Sequence, residues 1–453
     1  MEEGFQRRRY FLPTVLTAAA ILFFHSSFAF AQRPPTPPID FSYLEVDFSR
    51  PGARSAAMGG AFIGAAQDET AVLYNPAGMT YLSRPTVSAH VRFYNRTKRF
   101  GFGEPDLDQF TVGVVLPIKK LRFGYARHQV FFIDTGFGTP QSLNIETPLT
   151  TRQVLGGLGN FPGKSVGLGW QTFRDNFSLA FEISKRVSVG ATLQLYSLNL
   201  NIIDETFLDP EVIAGRLPSG NNAATNYATT RVDYLFQGIP AGSVGVMAKL
   251  IPDRLFVGAV ATAGPAFDDI LSVTFLPEYR VGSQTFAAEY RFRNLVFQVP
   301  DTYGIGLYYR ASSRLNLTFD VFRIEYSDQL SGNDLNVPAD DELNEQMQKF
   351  EDPDDRPDLT VEDATEFHVG LEWLLKKFGF LLPLRVGLYT DPGHRIHAVS
   401  NNPDLQRLYP EADDRLHVTF GTGFVFKYGK FDTAFDLAED YNQLFFSWTL
   451  TLP

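Results

Sequence analysis

Beyond Pro85 the chain alternates apolar and polar residues with a period of two, the spacing of a strand whose faces meet different surroundings. The pattern is plainest over 442–452, where Leu444, Phe446, Trp448, Leu450 and Leu452 share one face and Gln443, Ser447, Thr449 and Thr451 lie on the other. Over 430–438, Phe431, Thr433, Phe435 and Leu437 oppose Asp432, Ala434 and Asp436. Over 365–374, Phe367, Val369, Leu371 and Trp373 oppose Glu366, His368, Gly370 and Glu372. A soluble sandwich also alternates, but its apolar faces are not so often matched by carboxylates and small residues on a second face of comparable length.

Very short turns separate pairs of such strands, at Pro117 to Lys120, Ser184 to Arg186, Ile251 to Asp253, Ala311 to Ser313, Leu375 to Leu381 and Lys427 to Gly429. Long polar connections fall between them, at about 96–107, 134–174, 201–228, 264–288, 327–364 and 391–414, with a tight one near Asp440. Short turns at one end and long loops at the other mark a membrane-spanning barrel. With both chain ends on the short-turn side, six turns imply a fourteen-stranded antiparallel transmembrane β-barrel over residues 85–453. Gly238, Pro240 and Gly242 predict a bulge or kink, because proline cannot donate to the ladder. Two shifts of phase, between Val321 and Phe322 and between Leu195 and Tyr196, read either as β-bulges, the first carrying Phe322, Ile324 and Tyr326 outward, or as strands that end earlier.

Composition narrows the class. The chain of 453 residues has no Cys, which removes disulfides, thiol catalysis and thiolate metal sites. Aromatic residues make up 14%, yet past the N-terminus no run reaches the roughly 18 apolar residues that a spanning helix needs. A net charge of -11 with scattered Lys and Arg disfavours nucleic acid as a partner. Residues 1–31 read as a secretory signal, with Arg7, Arg8 and Arg9, an apolar run from Tyr10 to Phe24, and Ala29-Phe30-Ala31 at the cleavage site. Arg8-Arg9-Tyr10-Phe11-Leu12 also fits a twin-arginine pattern, but a membrane barrel travels unfolded. Residues 32–38 form a Pro-rich linker, RPPTPP within them.

Residues 39–84 match neither the linker nor the strands. Their centre, RSAAMGGAFIGAAQDETAVLYNPAGM, is rich in small residues, and Gly59, Gly60, Asn75, Pro76, Ala77 and Gly78 bring turn chemistry and room for close backbone approach, not reactive groups. The expectation is a plug (hatch) inside the barrel, either static or gating, with Arg54, Asp68 and Glu69 placed to salt-bridge to the wall.

Gly52-Ala53-Arg54 through Met58-Gly59-Gly60-Ala61, then Gln67-Asp68-Glu69, Tyr74 and Asn75-Pro76-Ala77-Gly78-Met79, resemble the N-terminal hatch of the FadL/TodX-type outer-membrane transporters of long-chain fatty acids and hydrocarbons. The hatch of PorV-like barrels is similar. The resemblance implies fourteen strands, a lumen plugged from the periplasmic side, and, in some members, sideways release beside a kinked third strand, here around Phe123-Gly124-Tyr125. Two features depart from the pattern. The chain ends Leu452-Pro453 without the usual terminal aromatic, and no basic residue is found for a fatty-acid carboxylate.

In such a barrel the polar faces collect Asp320, Glu366, His368, Glu372, Arg385, His417, Asp432 and Asp436 in the lumen. They form either an internal salt-bridge network or a ligand path, with Arg385 the best candidate to meet an anionic head group or a plug carboxylate. No cofactor or metal site is expected: His394 and His397 lack further ligands nearby, and the acidic stretch Glu351 to Asp355 reads as a solvated loop rather than a Ca²⁺ or lipopolysaccharide bridge. Neither Gly-x-Ser-x-Gly nor His-Glu-x-x-His occurs, so an enzyme is not expected. The expected function is passive uptake of hydrophobic small molecules across the bacterial outer membrane, among its lipid and lipopolysaccharide. The alternative is a barrel that holds exported proteins during secretion.

Overall fold

The computed structural model describes residues 51–95, 106–138, 163–207, 227–267, 273–275, 278–281, 284–287, 290–292, 297–330, 359–377, 380–399, 411–439 and 442–453. The signal, the linker and the acidic stretch 351–355 lie outside them. Fourteen antiparallel strands close into one barrel: β1 Thr86–Asn95, β2 Asp106–Ile118, β3 Leu121–Gly138, β4 Gly163–Glu182, β5 Val187–Phe207, β6 Tyr227–Ile251, β7 Leu255–Ala263, β8 Thr302–Arg310, β9 Leu315–Ile324, β10 Ala364–Lys377, β11 Phe380–Asp391, β12 Arg415–Phe426, β13 Gly429–Leu437 and β14 Asn442–Thr451. Each pairs with the next, and β1 closes on β14 from Thr86↔Thr451 to Asn95↔Asn442.

The two faces of the wall differ as the alternation requires. Phe177, Leu193, Ile305, Phe367, Val369, Phe420 and Trp448 are exposed on the outside, where a barrel meets lipid, while Thr318, His368, Glu372, Asp432 and Ser447 are buried on the inside. Among the described residues no helix is long and apolar enough to cross a membrane.

Strands β3 to β6 run on past the ends expected from sequence. The β3–β4 ladder continues to Gly138↔Ser165 and β4–β5 to Gly163↔Phe207, because polar and glycine-rich residues near the loops still pair backbone to backbone. The connection expected over 134–174 therefore begins only after Gly138 and ends at Gly163. The connection from β7 to β8 is by contrast longer than expected, reaching Thr302, and a hairpin within it, Glu278–Val281 with Gln284–Ala287, hangs on the outer end of β6.

The expected phase shifts resolve differently. No bulge interrupts β9: its register with β8 and β10 is unbroken, and Phe322 is buried on the inner face instead of pointing outward. Strand β5 also alternates without a break, Tyr196 and Leu198 lying inward beside Gln194. The extra residue opposite Tyr196 and Ser197 belongs to β6. Gly238, at φ +73, is skipped between Ile239 and Gln237, the bulge that Gly238, Pro240 and Gly242 predict. In both strands the apparent phase shift is a change in the polarity of the inner face, which turns apolar toward the long-loop end.

Candidate functional site

Residues 51–84 lie inside the wall and touch it nearly all the way round. Two short helices, α1 Ala53–Ala56 and α2 Ala71–Tyr74, and a 3₁₀ turn over Pro76–Tyr81 carry the segment across the lumen. Small side chains bring the backbone close to the strands, and Ala53, Ala57, Ala61, Ala66 and Ala77 are wholly buried. Gly59 and Gly60 turn the chain with φ +64 and +72, values that glycine adopts without penalty. Asn75 caps the 3₁₀ turn: its Oδ1 accepts from the Ala77 N–H at 3.2 Å, and Pro76 follows where no N–H is needed. Its Nδ2 donates to Val246 O on β6 at 3.1 Å and to Ile63 O at 3.3 Å, while Gly78 packs against Ala66 O. Asn75→Ala leaves these buried groups without partners, so a loss of about 1–3 kcal/mol of unfolding free energy is expected, read from a lower urea midpoint of unfolding in micelles.

Toward β10, β13 and β14 the segment is held by charge. The Arg54 guanidinium donates to Glu372 at 3.2 and 3.3 Å and to Asp68 at 3.2 Å. Lys430 Nζ reaches Asp68 at 2.9 Å and Glu69 at 3.5 Å, and Thr449 Oγ1 donates to Glu69 at 2.7 Å. Burial alone would raise the Asp68 carboxyl, but Lys430 and Arg54 hold it well below the usual range. For Glu69 burial prevails and pushes the carboxyl up. Further anchors are neutral or backbone groups: the N–H groups of Ala53, Gly59 and Ile63 donate to Ser447 Oγ, Thr419 Oγ1 and Asp320 Oδ2.

A cavity and a packed apolar cluster lie above this base. One is a cavity of about 130 Å³ floored by Ala56, Gly59, Gly60 and Tyr74 and walled by β8 to β11, β13 and β14. Phe322, Tyr326, Tyr389 and Phe445 give it aromatic sides, and Glu366, His368, Asp391, His394 and Asp436 line it as well. The other is an apolar cluster of Val130, Tyr196, Leu198, Phe236, Phe267 and Val299 on the side of β3, β5 and β6. Arg174, on the inner face of β4, stands beside it with its guanidinium 5.8 Å from the Tyr196 ring centre and Nη1 donating to Tyr196 OH at 3.2 Å.

A closed barrel of fourteen strands over an inner N-terminal segment is an arrangement with known counterparts. The P. putida toluene transporter TodX superposes with a TM-score of 0.56 at 16% identity, over 90% of this chain and 99% of that one. A Pseudomonas aeruginosa FadL homologue gives 0.55 at 14%, over 87% and 97%, and the CymD monoaromatic hydrocarbon channel 0.54 at 14%, over 90% and 98%. The fold is that of the FadL-type barrels. No protein-family model matches the sequence, and no curated protein does.

Within this FadL-type fold the eight lumen residues named from sequence fall into three places. Glu372, Arg385 and Asp432 form one chain of ion pairs, Arg385 donating to each carboxylate at 2.7 Å. Arg385 thus meets wall carboxylates, and it is Arg54 that carries the segment's charge to Glu372. Glu366, His368 and Asp436 line the cavity with Tyr389, whose ring stacks between His368 and His417 at 5.0 and 4.1 Å, so that His417 stands behind the lining. Asp320 stands apart, bound to the Ile63 amide. His394 and His397 bond separately to Pro392 O and Arg395 O. At Phe123-Gly124-Tyr125 the ladders to β2 and β4 are continuous, and Met79 and Val72 cover Gly124 from inside. The irregularity of β3 lies further on, between Gln129 and Phe131. Sequence reasoning missed Lys430 and Arg174. Lys430 shares the parity of Asp432 and Asp436, a signal that was there to read, whereas Arg174 falls in a stretch that reads as a connection.

Proposed function

We propose that the protein is a channel of the bacterial outer membrane for passive uptake of hydrophobic small molecules, long-chain fatty acids or hydrocarbons, with residues 39–84 as the hatch that gates it. The observation that carries this reading is the apolar cluster on the inner face. A barrel that passes only water and ions has no use for Tyr196, Leu198 and Phe236 on the inner face of its wall, whereas a route for apolar solutes calls for apolar side chains there. Among the described residues no carboxylate pairs with Arg174, so it can meet the acid end of a fatty acid as the cluster takes the tail. The structural relatives named as toluene transporter and hydrocarbon channel support the same reading. Residues 1–31 act in it as the export signal, membrane lipid and lipopolysaccharide surround the wall, and no cofactor or catalytic step is involved.

Uptake of labelled fatty acid or hydrocarbon should fall on deletion of the protein and return with its expression; unchanged uptake would sink the reading. Ala53 N–H lies 2.7 Å from Ser447 Oγ, so the two positions are neighbours at which a cysteine pair can be tried as a lock, and the chain has no Cys of its own to interfere. In the Ala53→Cys, Ser447→Cys variant, oxidation should abolish uptake and reduction restore it. Uptake that ignores oxidation would make the segment a static filling.

The charge-packed base, sealed by Arg54, Lys430 and Arg385, favours a second reading in which the barrel holds exported proteins as PorV-like proteins do. A secreted protein that co-purifies in fixed proportion from the membrane, with uptake unaffected by deletion, would favour that alternative.

A further inference from the structure

The cavity above Gly59 and Gly60 differs from the apolar cluster in its chemistry. Its volume, about 130 Å³, is close to that of cavities of roughly 150 Å³ known to take up benzene, so one six-membered ring fills it. Aromatic faces surround that space: Phe322 lies edge-on to His368 at 4.9 Å, Tyr326 stacks on His394 at 4.2 Å, and Tyr389 stacks on His368. Three carboxylates, Glu366, Asp391 and Asp436, line it, and no Lys or Arg does among the described residues. Asp391 is neutralised from behind by Arg415 at 2.7 Å, and Asp436 accepts from Tyr389 OH at 2.7 Å and meets His417 Nδ1 at 2.8 Å. Glu366 contacts His368 Nε2 at 3.0 Å through Oε2, and no donor among the described residues sits on Oε1.

Such a lining offers an anion no ammonium or guanidinium partner and leaves a hydrocarbon nothing to bond. An aromatic ring that carries a hydrogen-bond donor meets both demands, ring against ring and donor on carboxylate. We propose that this cavity is a binding site for single-ring aromatic hydrogen-bond donors, phenols or arylamines, held by their rings against Phe322, Tyr326 and Tyr389 with the donor on Glu366. The cavity floor is the segment itself, so such a ligand sits directly on the Gly59–Gly60 turn. The inference rests on the reading of the barrel as a small-molecule channel and names a substrate class for it.

The test is equilibrium binding to the full-length protein in nanodiscs, empty nanodiscs subtracted, with phenol, toluene and benzoate as probes. Phenol should bind about ten-fold more tightly than toluene, the factor a single hydrogen bond to a charged acceptor supplies, and benzoate should not compete. Glu366→Leu should bring phenol and toluene within two-fold of each other. Toluene binding as tightly as phenol, benzoate displacing phenol, or a folded Glu366→Leu barrel that keeps the preference would each overturn the proposal. The order of the three probes on the unaltered protein decides even if the variant does not fold. Because no uptake is measured, failure of transport in cells would leave a positive result intact, and a preference for toluene would leave the channel reading intact.

Discussion

Gly387→Val is expected to open the barrel. Gly387 on β11 and Gly370 on β10 stand opposite each other in register and form a shallow depression without side chains, and the Met58–Gly60 turn lies in it. A Cβ on Gly387 would fall on the Gly59 amide nitrogen and the Met58 carbonyl carbon, and a Cβ on Gly370 would come to 2.5 Å of Met58 O. Backbone atoms cannot rotate aside as a flexible side chain can. The wall is tied on both sides by ladders to β10 and β12, whereas the turn is tied at this point by the Gly59 bonds to Thr419 and His368. Overpacking costs about 1–3 kcal/mol even among side chains, and here the segment is the part that moves. Single-channel recording in planar bilayers should show a pore at least ten-fold more conductive than the unaltered protein, and cells should admit large antibiotics. The lipid-facing neighbour Val386→Leu should change neither. An intact Gly387→Val barrel with unchanged conductance would mean that the wall yields instead.

The largest loss of stability is expected from Glu372→Ala. The carboxylate accepts from Arg54, from Arg385 at 2.7 Å and from Asn316 at 3.0 Å, and its side chain is only 4% exposed. Its removal takes one of two carboxylates from each guanidinium, leaving Arg54 with Asp68 alone and Arg385 with Asp432 alone, and deprives the Asn316 amide of its acceptor. Breaking one member of a buried ion pair costs about 3–5 kcal/mol, most of it the uncompensated charge left behind. The temperature at which the folded band converts to the unfolded band on a gel should fall by many degrees. Replacing Arg54 by Met in the same chain should recover part of the loss, since one under-compensated buried cation is then gone. A variant as heat-resistant as the parent would show that water reaches the network.

The number of strands is legible in the sequence because short turns have a fixed chemistry: Lys119–Lys120 and Lys427–Tyr428 can join two strands in only one way. Strand ends are less legible. Where β3, β4 and β5 run on past their expected ends, backbone pairing continues without the apolar alternation that marks the part in lipid. Arg174 is invisible for that reason. The inner apolar residues mislead differently, since alternation reports only that two faces differ, not which one is outside; Tyr196, Leu198 and Phe322 look like slips of register when they are a lining. The inner segment before β1 is readable as turn chemistry, but its partners are not. No spacing along the chain brings Ala53 to Ser447 or Glu69 to Thr449.

Those distant partners bear on how the molecule is made. The wall is complete only when β14 pairs with β1, with Leu452 N–H donating to Pro85 O, so the first and last strands synthesised form the final seam. The residues that precede β1 bond to residues nearly four hundred positions later in the chain, inside a space that the seam then shuts. Ring closure over such a separation is slow, and although β1 can pair early with β2, the segment before it lacks these partners until the late strands arrive. Core and shell therefore mature in a single event, and a ribosome-truncated product lacking β14 would lose its centre as well as its edge.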